Sequence, residues 1–143
     1  LEAAGTELQA GTVWDDQFEI RIDGGQAFRA GDTVTGTVVV TPKKSLSLNG
    51  VRLELHAHRA DRGGIKHVTS VAKADVTGKT KLDGGVRQEL PFALPVPADA
   101  LPSFVADNNR LDHRLTLSAD RKLRTDLNAA MEVAVASPRS GPA

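Results

Sequence analysis

His56 and His58 stand two residues apart in 51-VRLELHAH-58, and on an extended chain side chains two apart leave the same face. Two imidazoles so placed, with His67 or His113 as a third ligand, would begin a metal site. The same pair lies beside Arg52 and Glu54, opposite an apolar set of Val51, Leu53, Leu55 and Ala57. That describes an ordinary solvated strand face, so no metal or cofactor is expected there. His113 differs, because it shares a face with Leu111, Leu115 and Leu117 and is expected as a hydrogen-bonded group near the core.

Acyl transfer would need a nucleophile held against a base. The serines fall in Ser45-Leu46-Ser47, in Thr69-Ser70 and beside prolines, none in a G-x-S-x-G elbow, and spacing alone brings no histidine to them. Asp15, Asp16 and Asp61 could pair in three dimensions, but acids flanking turns are usually solvated. No G-x-x-x-x-G-K-[ST] loop is present, and the Gly-Gly pairs precede strands rather than helices. Sugar stacking would rest on Trp14 alone, since there is no tyrosine and Phe18, Phe28 and Phe92 are wanted by a core. Lys43-Lys44 and Arg121-Lys122-x-Arg124 read as solvated turns, not as a phosphate site. No catalytic, cofactor or metal residue is assigned.

The elements that would position these groups are strands. Phe18, Ile20 and Ile22 alternate with Glu19, Arg21 and Asp23, and Val34, Val38 and Val40 alternate with threonines, with Gly36 as a candidate bulge. The run 51–58 follows, then a weaker one at 65–76. In 86-VRQELPFAL-94 the shared face is Val86, Gln88, Leu90, Phe92 and Leu94. Two more runs carry Leu111, His113, Leu115 and Leu117, then Leu127, Met131, Val133 and Val135. Asp23-Gly24-Gly25, Ala30-Gly31-Asp32, Asn49-Gly50, Arg62-Gly63-Gly64 and Asp83-Gly84-Gly85 are expected as turns.

Four prolines lie in 90-LPFALPVPADALPSF-104 among large apolar residues, unlike a disordered linker. Pro91 implies an edge strand or a bulge, and Pro95 and Pro97 a strand end. Ala98 to Ser103 then cross between sheets, with Leu101 and Phe104 expected against the core. At least seven strands and no convincing helix imply an all-β, immunoglobulin-like sandwich of two antiparallel sheets. One such domain is expected over residues 12–136, with flexible tails at 1–11 and 137–143.

The 143 residues suffice for one domain, which at this size buries about 68–70% of its unfolded surface. Eighteen basic residues balance eighteen acidic ones, so nothing suggests a nucleic-acid or anionic-membrane partner. There is no cysteine, and no apolar run long enough to span a membrane. A cytoplasmic protein is the default expectation.

The order of these features resembles the N-terminal arrestin-type fold and its bacterial relatives in the sporulation-control group. The phrase 24-GGQAFRAGDTVTGTVVV-40 is similar to the family's opening strand, leading into 50-GVRLELHAH-58. Then 89-ELPFALPVPADALPSF-104 resembles the family's "F-x-L-P" strand end and "LP-S" turn, followed by 111-LDHRLTL-117, where His113 stands in place of a common tyrosine. The resemblance spans residues 17–135 and implies a non-enzymatic interaction module: an adaptor, scaffold or regulatory protein with a protein partner. Arrestins pair two sandwiches, so one sandwich would replace the groove between them by dimerising, by pairing an edge strand or by contacting another part of its own chain. The alternatives are a small-molecule or metal-binding sandwich using the His56 and His58 face, and an unrecognised hydrolase.

Overall fold

The computed structural model describes residues 18–61, 63–64, 66–121 and 127–138. Trp14, Asp15, Asp16, Lys122, Arg124, the expected tail at 1–11 and residues 139–143 of the tail expected at 137–143 lie outside the described residues. The described chain is all strand: β1 (Phe18–Ile22), β2 (Ala27–Arg29), β3 (Thr33–Val40), β4 (Leu46–Asp61), β5 (Lys66–Thr77), β6 (Thr80–Leu82), β7 (Gln88–Pro95), β8 (Phe104–Val105), β9 (Asn109–Arg121) and β10 (Leu127–Ala136).

Two sheets form a sandwich. The small sheet has the order β1-β3-β7, and the large one β2-β10-β9-β4-β5, with β6 added to β4 and β8 to β9. All pairings are antiparallel except β2 with β10. The alternation explains the packing, because each sheet turns one face to the other. Phe18, Ile20, Val38, Val40, Phe92 and Leu94 meet Leu53, Leu55, Leu115, Leu117, Met131 and Val133 in one buried cluster. Outer faces carry same-strand ion pairs two residues apart, such as Arg21–Glu19 at 3.2 Å and Arg110–Asp112 at 2.9 Å.

Several local expectations are corrected. Gly36 makes no bulge, since it keeps register with Ile22 on one side and Phe92 on the other. Its role is space: a Cβ there would strike the Arg21 carbonyl and come within 2.7 Å of Phe92 Cζ. Asn49-Gly50 is not a turn but lies inside β4, where the register with β9 shifts between Leu48 and Gly50. That shift is a bulge, and it bends a sixteen-residue strand without ending it. Val86 lies outside β7 and is 49% exposed.

Pro91 does sit on an edge strand, and β7 ends at Pro95. The crossing to the large sheet is anchored by Val96 and Ala100, not by Leu101 and Phe104, which are 67% and 42% exposed. The reason is local hydrogen bonding. Gly31 N donates to the Val96 carbonyl at 3.0 Å, and Val96 N donates to the Asp32 carbonyl at 2.8 Å, which turns Val96 inward. Ala30 N donates to the Ala136 carbonyl in the same turn, so Ala30-Gly31-Asp32 ties the two sheets together.

Candidate functional site

Cross-strand register places the four histidines on one face or the other of the large sheet. Antiparallel partners share a face. On the inner face, successive rows read Ala74–Leu53–Leu117, Ala72–Leu55–Leu115, Thr69–Ala57–His113 and His67–Arg59–Leu111 across β5, β4 and β9. The first two rows are roofed by the small sheet. The last two extend past it, beneath the Pro97–Leu101 connection, and form an open groove of about 490 Å³. Its walls include Ala57, Val71, Pro97, Ala100, Leu101 and Leu111, with Arg59, His67, Asp99 and His113 as the ionisable groups.

His113 is the buried centre of this end, 1% exposed as its apolar face implied. Ser103 Oγ lies 2.7 Å from His113 Nδ1 and accepts a hydrogen bond from Val135 N at 3.0 Å. One hydrogen bond joins the hydroxyl to Nδ1, and Nε2 has no hydrogen-bond partner among the described residues. Burial lowers the His113 pKa below its usual value, against a smaller opposing pull from Asp112. Ser103 N also donates to the Val135 carbonyl at 2.8 Å, so Ser103 clamps the crossing onto β10 while orienting the ring.

The structure thus joins a serine to a histidine, which spacing alone did not. The distance is that of a nucleophile and base, but the hydroxyl already serves a strand clamp. Among the described residues no carboxylate bonds Nε2 to orient the ring as a third member would. The contacts shown position the hydroxyl and the ring.

His56 and His58 do share the outer face, with ring centroids 6.4 Å apart. His56 Nε2 lies 3.4 Å from Glu54 Oε2, and its Nδ1 lies 3.4 Å from Thr116 Oγ1. The His58 pKa is lowered by partial burial, then by Arg114 and His56. His67 and His113, considered as third ligands, belong to the inner rows and cannot join the pair through the sheet. Among the described residues no three metal-binding side chains come together. Lys43 and Lys44 are exposed beyond β3, and Asp61 Oδ1 caps its turn by accepting from Gly63 N at 3.0 Å.

β5 is the second candidate element. Among the described residues it pairs with β4 alone, leaving one backbone edge of the large sheet uncovered. Residues 66–70 are all exposed, Val68 at 58%. Lys66, Lys73 and a register shift opposite Leu55/His56 interrupt that edge and limit pairing to a short stretch. The edge offers main-chain donors and acceptors, and the groove offers a pocket beside them.

No family model matches the chain, and no curated protein matches it by sequence. Among solved structures, the sporulation control protein Spo0M from Bacillus subtilis is similar in fold, with a TM-score of 0.70 and 19% sequence identity. The match covers 90% of this chain and 50% of that one, so this chain spans half the length of its structural neighbour. The described residues have the arrestin-like β-sandwich fold that the ordered phrases of the sequence resemble.

Proposed function

We propose that the protein is a non-enzymatic interaction module, an adaptor or regulatory scaffold of the cytoplasm that binds a protein partner along the free edge of β5. The carrying observation is that edge: a twelve-residue strand paired on one side only among the described residues. An extended segment added there would gain main-chain hydrogen bonds, with alternate side chains reaching the two faces of the sheet. Likeness to a sporulation control protein supports a regulatory role, and the commitment of Ser103 to a strand clamp supports a non-enzymatic one. No helix among the described residues is long and apolar enough to cross a membrane.

The test is affinity capture with the whole chain as bait, in parallel with a Val68→Lys/Ser70→Lys variant. Both side chains are exposed, so the variant keeps its fold while placing extra charge on the edge. One partner recovered by the native chain and lost by the variant supports the proposal. Equal recovery by both moves the binding surface elsewhere.

A further inference from the structure

The inner face of β4 reads Val51, Leu53, Leu55, Ala57, Arg59, so a guanidinium occupies the next position of the core-facing series. Four other arginines (Arg21, Arg52, Arg87 and Arg110) each pair with a carboxylate two residues away on their own strand. Arg59 has no ion pair or hydrogen bond to a described residue. Diagonal to it across the β4–β9 register is His113, whose Nδ1 is taken by Ser103. The other ring nitrogen, Nε2, is then a buried polar atom with no partner among the described residues, a condition folded proteins rarely leave unmet. Both groups line the same groove, whose remaining floor and roof are largely apolar. At about 490 Å³ it falls within the roughly 300–1,000 Å³ of small-molecule sites.

We propose that this groove binds a small amphipathic monocarboxylate, its alkyl body lying on Ala57, Val71, Ala100 and Leu111 and its carboxylate held by Arg59 and by His113 in the tautomer that carries its proton on Nε2. Charge complementarity selects the head group. A carboxylate accepts from several donors at once and offers none, which suits a guanidinium beside an uncommitted N–H. His67, opposite Arg59 on β5, adds a further donor at the rim. Asp99 on the roof is the one acid among the described lining residues, and it keeps the head group on the sheet side of the groove. Two other hollows, about 450 Å³ beside Phe28 and about 410 Å³ beside Gly50, offer no buried donor of this kind. The groove borders the β5 edge through His67, Thr69 and Ser70, but its head-group site rests on Arg59 of β4 and His113 of β9, so Arg59→Gln tests it apart from the partner reading.

The experiment titrates the full chain with octanoate, octan-1-ol and octylamine, following backbone and imidazole NMR signals together with calorimetry. Octanoate should bind saturably, with shifts concentrated at residues 57–59, 97–101 and 111–113. Octanol should bind at least tenfold more weakly. Arg59→Gln, an exposed substitution that leaves the fold intact, should weaken octanoate at least tenfold and leave octanol unchanged. Ala57→Leu, which fills the floor, should reduce both. Octanol binding as tightly as octanoate, octylamine binding more tightly, or shifts that never saturate would each overturn the proposal.

Discussion

His113 shows how burial can set the protonation state of a group. The imidazole shares a hydrogen bond with Ser103 at Nδ1, in an environment that lowers its pKa by burial. Asp112 opposes that shift and His58 adds to it, while Arg59, His67 and Asp99 share its groove. The unfolded chain therefore binds a proton that the folded chain refuses. The stabilisation is complete above the ordinary histidine value of about 6.5 and is lost as pH falls below it towards the lowered folded value. Urea unfolding at pH 7.5 and at pH 5 should show the native chain less stable in acid. His113→Phe should be less stable by about 1–3 kcal/mol at pH 7.5, because Ser103 loses its hydrogen-bond partner, and should respond less to acid. His58, shifted in the same direction, accounts for part of the slope that remains. An undiminished acid response in His113→Phe would remove His113 from this account.

At the scale of the element, the connection from β7 to β8 shows what alternation can and cannot reveal. Leu94 was legible as core because it continues a period of two from Phe92, and it is fully buried. Leu101 is equally apolar but belongs to no strand, so no period assigns it a side, and it is 67% exposed. Thermal or urea unfolding should therefore separate two identical substitutions: Leu94→Ala costing about 2–5 kcal/mol and Leu101→Ala about 0.5 kcal/mol or less. A comparable loss at both positions would mean that the connection packs more tightly than its exposure implies. The same reasoning explains the other hits and misses. Long half-buried strands such as β4 and β9 declared themselves, whereas β2, β6 and β8, with three, three and two residues, are too short to show a period. Asn49-Gly50 has turn chemistry, but the neighbouring strands β6 and β9 hold it in β4 as a bulge. For the groove, Arg59 was one step further along a legible alternation. Its exposure was not legible, because it depends on where the small sheet stops. The Ser103–His113 contact was hidden as well, since it requires the chain to reverse between β8 and β9.

The whole molecule is asymmetric, a three-stranded sheet over a seven-stranded one, and the wider sheet leaves β5 uncovered among the described residues. A sheet edge is a template for another strand, and two copies meeting β5 to β5 in antiparallel register would bury the same surface twice and close as a dimer. Lys66, Lys73 and the register shift in β5 confine that pairing to the stretch around His67 to Ser70, favouring a discrete pair over an open-ended array. A formal net charge of zero leaves little long-range repulsion to oppose it. Sedimentation velocity over a wide concentration range should show a monomer converting to a dimer, and Val68→Lys/Ser70→Lys should remain monomeric with an unchanged melting temperature. The dimer and a partner's segment would compete for the same edge, so added partner should return the native chain to a one-to-one complex. A single monomeric species at every concentration would discard self-pairing while leaving the edge free for a partner. A dimer that survives both lysines would place the contact elsewhere, and the exposed Leu101, Phe104 and Val105 at the open end would be the next surface to substitute.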